Sequence, residues 1–244
     1  MKHPRLRDSK KLITNEPYPM NELPDDLIVR IGGYLAHLLY VGRKDITGTD
    51  WGDAFADAVE GKHLDSPIGI ADVVLGKMAW SVKTVKNARP FNARSVRLIS
   101  GRCSPDYSYG ITDPHADIQN TGRAVLGIWN ERINIAQDNY TPVRTSVLIR
   151  SNDLLSYCLF EEENHRFRTN DYIWEVNPNG NLIGKDIDTG KTCFTWQPHG
   201  SQFTIHTHVP ENAVKFTIKQ PPLLTKEDIL KTIQFDSSWV KIFR

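Results

Sequence analysis

Cysteine is scarce in this chain: three in 244 residues, at Cys103, Cys158 and Cys193. An odd number at wide spacing supplies neither a disulfide framework nor the paired cysteines of a zinc site, and it fits a reducing compartment. Net charge is also nearly absent, at +1, so no global field announces a polyanionic partner, although a local basic cleft is compatible with a neutral total. No apolar run reaches the length of about 20 residues needed to cross a bilayer. The opening Met1-Lys-His-Pro-Arg-Leu-Arg7 lacks the apolar centre of a signal peptide. A cytoplasmic protein without a membrane partner is expected. Internal repeats and a phosphate-cradling glycine loop are missing too, which removes several enzyme classes. What remains is a chain of 39% hydrophobic and 24% charged residues, an ordinary globular composition with enough length for a substantial core.

The most informative stretch runs from Gly69 to Val85. Two apolar runs flank Gly76-Lys77, the pattern of a β-hairpin with a two-residue turn. That turn sets Leu75 opposite Met78, Val73 opposite Trp80 and Asp72 opposite Ser81. Opposed residues, and residues two apart on one strand, share a face. Asp72, Ser81 and Lys83 therefore lie on one side, with Ala71, Val73, Leu75, Met78, Trp80 and Val82 on the other. A carboxylate on an apolar hairpin suits a hard cation such as Mg²⁺, which takes oxygen ligands and keeps several waters. Asp72 would hold the ion and Lys83 would act on the attacking water. The bland alternative is a cross-strand Asp–Lys pair on a solvated face.

An Asp near the end of one strand, followed by x-x-Lys on the next, resembles the PD-(D/E)xK nuclease superfamily, which includes most type II restriction endonucleases. The resemblance covers residues 50 to 150. Two positions depart from the pattern: Ala71 precedes the Asp where the family has Pro, and Ser81 stands two before the Lys where it has an acid. Some branches carry Ser there and take the acid from a helix. The resemblance thus implies a second carboxylate from elsewhere, with Glu60 ahead of the hairpin (or Asp57, one turn back) and Glu131 behind it as candidates. It implies Mg²⁺-dependent hydrolysis of double-stranded DNA by a homodimer. The expected fold is α/β, a mixed central sheet with flanking helices, over residues 1–150. An antiparallel β-rich part is expected over 151–244.

The flanking sequence is read in the same way. Residues 1–16 are basic and polar, with Lys2, Arg5, Arg7, Lys10 and Lys11, a free tail or a DNA-touching arm. Leu27, Ile28, Ile31, Leu35 and Leu38-Leu39 recur at helical spacing, with Gly32-Gly33 expected to mark a break or a close helix contact. Thr49-Asp50 is expected to cap a second helix that buries Trp51, Phe55 and Val59 and that Gly61 ends. Lys62 to Gly69 reads as a loop. Behind the hairpin, Lys86, Arg89, Arg94, Arg97 and Arg102 stand where a phosphate backbone would need cations. Arg102 to Asn120 has no usable period and reads as a loop. Thr121 to Ala136 reads as a helix with Val125, Trp129, Ile133 and Ala136 inward, and Val143 to Ile149 as a buried strand. Glu161-Glu-Glu163 is expected to be a solvated loop among the short strands of the last third. There Gln197, His199, Gln202, His206 and His208 suggest a polar β-surface that reads bases.

Two other classes of function stay open on the sequence. Ser81 and Lys83 on one strand face have the makings of a metal-independent Ser–Lys nucleophile pair. A non-catalytic β-rich binding module is the third reading.

Overall fold

The computed structural model describes residues 16–243; the basic tail with Lys2, Arg5, Arg7, Lys10 and Lys11 lies outside them. In chain order the elements are α1 (Asp25–Tyr40), α2 (Gly48–Ala58), β1 (Lys62–Ile68), β2 (Ala71–Leu75), β3 (Met78–Lys86), β4 (Ser95–Arg102), α3 (Pro105–Tyr109), α4 (Ile118–Asn139), β5 (Val143–Arg150) and β6 (Ser156–Glu163). There follow β7 (Tyr172–Val176), β8 (Leu182–Asp186), β9 (Thr192–Gln197), β10 (Gln202–His208), β11 (Val214–Thr217) and α5 (Lys226–Thr232). The fold is mixed α/β. A six-stranded sheet has the order β1-β2-β3-β5-β6-β11, and a five-stranded antiparallel sheet the order β4-β10-β9-β8-β7. In the first sheet only β3 and β5 are parallel neighbours.

The sheets do not respect a boundary at residue 150. Strand β4 crosses into the second sheet, while β6 and β11 complete the first. A division into 1–150 and 151–244 therefore cuts through both sheets, because long-range strand pairing leaves no mark in local composition.

Helices α1 and α2 cover one face of the first sheet, where Leu27, Ile31, Leu35, Trp51 and Phe55 pack on Val73, Met78, Trp80, Leu148 and Leu159. Helix α4 lies between the other face and the second sheet, its Val125, Leu126, Trp129, Ile133 and Ala136 meeting Ala79 and Val143 on one side and Phe194 and Phe203 on the other. Farther along, β4 packs directly on the first sheet through Val96 and Leu98 against Val147, Ile149 and Phe160. Strand β5 is thus buried along its whole length, as expected of a parallel strand covered on both faces.

Several expectations need correction. Helix α1 runs unbroken through Gly32-Gly33, and a Cβ at either position would meet open space. Helix α2 is capped by Thr47, not Thr49-Asp50, in a reciprocal capping box with Asp50. The expected loop after α2 is the edge strand β1, and Arg102 to Asn120 contains α3 and the first turn of α4. Ala71, expected on the side of Val73, packs with Ala79 in the α4 cluster.

The acidic run 161–163 is the end of β6, and Glu161 is fully buried. Its carboxylate accepts from Tyr18 Oη at 2.9 Å, Trp80 Nε1 at 2.7 Å and Arg144 at 2.9 Å. Arg144 also pairs with Glu16. Burial pushes the Glu161 carboxyl up, and Arg144 with the two donors opposes that rise.

Candidate active site on the splayed hairpin

Gly76 adopts φ +56 and closes the turn between β2 and β3. The register is the expected one for Leu75 opposite Met78 and Val73 opposite Trp80, whereas Asp72 and Ser81, also expected to oppose each other, are not a backbone pair. Paired backbone ends at that rung. Beyond it the Asp72 side chain stands between the strands, Oδ2 accepting the Val82 N–H at 2.9 Å, the Ser81 hydroxyl at 3.1 Å and Lys83 Nζ at 3.4 Å. Lys83 Nζ also donates to Ser81 Oγ at 2.8 Å and to the Val82 carbonyl at 3.3 Å. The side chains of Asp72 and Lys83 are only 18% and 23% exposed. That distinguishes them from a solvated surface pair, whose charges water would screen.

The strand ends open on a cavity of about 560 Å³. Asp72, Val82 and Lys83 form one wall, Gly48, Thr49 and Asp53 of α2 another, and His63, Leu64, Asp65 and Pro67 of β1 a third. The β1 wall is there because β1 bulges. His63 pairs with Val73 and Ile68 with Ala71, so the residues between them leave the ladder and line the cavity. Bulges at a sheet edge commonly re-aim side chains in this way. Gly48 and Thr49 are the first residues of α2, so the positive end of its dipole opens on the same space.

Asp53 and His63 were not singled out as site residues from the sequence. They are hydrogen-bonded across the cavity wall, His63 Nδ1 to Asp53 Oδ1 at 2.7 Å. A carboxylate only accepts, so Nδ1 carries the proton in that bond. The available signal was helical: Asp53 lies off the buried stripe of Trp51 and Phe55 on α2, and this acid, farther from the hairpin in sequence than Glu60, is the one facing the cavity.

The two carboxylates expected to complete the site are elsewhere. Glu60 follows the C-terminus of α2 with φ +57 and pairs with Arg30 at 3.6 Å. Glu131 is exposed on α4 and accepts from Asn134 at 3.1 Å. Neither lines the cavity. Among the described residues no group of three or more His, Cys, Asp or Glu side chains is arranged to hold a metal ion.

Lys86, Arg89, Arg94, Arg97 and Arg102 are all exposed. The structure distributes them. Lys86 ends β3, and Arg89 lines a separate cavity of about 370 Å³ with Phe91 and Asp153. Arg97 and Arg102 belong to β4 in the second sheet, where Arg97 sits opposite His206. Burial, then the Arg97 charge, holds the His206 imidazole below its ordinary pKa, and its Nε2 lies 2.9 Å from Thr195 Oγ1.

No helix among the described residues is long and apolar enough to cross a membrane. No known family, curated protein or solved structure matches the chain.

Proposed function

We propose that this chain is a Mg²⁺-dependent endodeoxyribonuclease of the PD-(D/E)xK type, a type II restriction enzyme that hydrolyses phosphodiester bonds of double-stranded DNA at a specific sequence. The observation that carries the reading is the half-buried Asp72–Lys83 pair, set where two strands part and facing a cavity with further carboxylates. Mg²⁺ is commonly bound through one or two carboxylates with water and substrate phosphate completing its shell. Asp72 and Asp53 both line the cavity and supply oxygen donors of the kind such an ion takes. When bound, the ion supplies charge neutralisation at the phosphate and a more acidic water.

The chain's own groups do the rest. Lys83, steered by Ser81 Oγ and Asp72, presents an ammonium to the cavity and holds the attacking water or stabilises charge on phosphate oxygen. The first turn of α2 favours a phosphate on the opposite wall. Exposed Lys86, Arg89, Arg94, Arg97 and Arg102 would contact the DNA backbone and position the duplex. A two-fold symmetric recognition site would be read by a homodimer, acting in the cytoplasm. Incubation with phage DNA tests this. Discrete fragments with Mg²⁺ and none with chelator are expected, and intact DNA under every divalent ion would refute it.

One contact favours a second reading. Lys83 Nζ lies 2.8 Å from Ser81 Oγ, the spacing of an activated Ser–Lys nucleophile. Such a hydrolase would keep its activity in chelator.

A further inference from the structure

We infer that His63 is a positioning residue that fixes the carboxylate of Asp53 toward the cation, with Gly52 as the notch that makes this possible. The inference rests on the reading of the cavity as a divalent-ion site and adds to it how the second carboxylate is held.

Asp53 lies on a helix and its side chain is 47% exposed. Alone, a carboxylate so open to water would sample several rotamers, and each ordering event on cation binding would cost entropy. The His63 Nδ1–H at 2.7 Å from Oδ1 removes that freedom and leaves Oδ2 for a ligand. Hydrogen bonds to ligating carboxylates and imidazoles are a general means of orienting metal ligands.

The ring itself is fixed from two sides. Its backbone belongs to the last paired rung before the β1 bulge, opposite Val73. Its Cε1–Nε2 edge lies over Gly52, where a Cβ would come within 2.5 Å of both atoms. Any larger residue at position 52 would displace the ring. With one nitrogen on Asp53 and the other edge against α2, the imidazole is placed to hold a neighbour and not to shuttle a proton to substrate. Gly52 and Asp53 are adjacent on the helix, so one turn supplies both the notch and the acceptor.

Manganese titration of the full chain by calorimetry, together with plasmid cleavage, tests this. His63→Ala should weaken Mn²⁺ binding about tenfold or more and raise the Mg²⁺ needed for half-maximal cleavage by the same factor. The KM for DNA at saturating Mg²⁺ should stay within about twofold, since the substrate contacts are elsewhere. His63→Asn, whose amide can take the place of Nδ1, should recover most of the affinity. Gly52→Ala should reproduce the His63→Ala loss, yet add nothing in the His63→Ala background.

Wild-type Mn²⁺ affinity in a His63→Ala protein with an unaltered melting curve would overturn the inference. So would a His63→Asn variant that binds no better than His63→Ala. If the wild-type chain binds no Mn²⁺ and ignores chelator, the cation-site reading itself fails and this inference falls with it.

Discussion

The Asp72 carboxylate accepts the backbone N–H of Val82 at 2.9 Å, so a side chain stands where β2 and β3 no longer pair through their main chains. Asp72 is therefore structural, whatever chemistry it performs. Asp72→Ala leaves a buried N–H without its partner and is expected to cost about 1–3 kcal/mol. Asp72→Asn retains an acceptor oxygen and should cost less, about 1 kcal/mol. Urea unfolding of the two variants checks the difference, and it makes Asp72→Asn the cleaner probe of activity.

Ser81 separates the two hydrolytic readings. If its hydroxyl only steers Lys83, Ser81→Ala should lower the cleavage rate about tenfold or less and leave Mg²⁺ dependence intact. A nucleophilic Ser81 would make the same substitution abolish turnover. Single-turnover rates with and without chelator decide between these outcomes.

The hairpin was legible in the sequence for a local reason: Gly76 between two alternating runs sets the turn, and the turn sets every opposed pair down to Val73 and Trp80. Helix α4 and strand β5 were legible because their burial follows one period, or is complete. The rest of the site was not, because it depends on pairings between distant segments. Strand β1, Lys-His-Leu-Asp-Ser-Pro-Ile, carries a proline and no alternation, and it pairs with β2 only at its two ends. Without β1 nothing brings His63 to Asp53, and sequence distance alone points to Glu60. Glu161 is the sharpest case. Three adjacent acids read as solvated, yet the donors that make burial tolerable are Tyr18 and Trp80, 143 and 81 residues away.

That buried cluster has a measurable weight. Arg144 is the cation of Glu161 and also holds Glu16 and the Tyr18 carbonyl. Arg144→Met leaves a buried carboxylate without its counter-ion and is expected to destabilise the fold by about 3–5 kcal/mol. A urea midpoint unchanged from wild type would show that Glu161 is neutral and held by Tyr18 and Trp80 alone.

Glu162 provides a pH signature. Burial pushes its carboxyl up from 4.5 to about 7, and its bond from Thr207 only partly offsets that. The folded state therefore binds this proton more tightly than the unfolded chain. The sign follows: the group's favourable contribution is complete below pH 4.5 and is lost as pH rises through about 7. The full loss is on the order of 3 kcal/mol. Glu162→Gln should match wild type at acid pH and exceed it in stability near pH 8, so the difference between their melting curves should grow with pH. A constant difference would contradict the assignment.

The most direct test of the central claim compares wild-type and Asp72→Asn chains on supercoiled plasmid across a Mg²⁺ titration. The account predicts linear product from wild type with a sigmoidal or hyperbolic dependence on Mg²⁺, and a rate lower by about a thousandfold or more from a folded Asp72→Asn protein. Equal rates from the two proteins, or cleavage that persists in chelator, would contradict it.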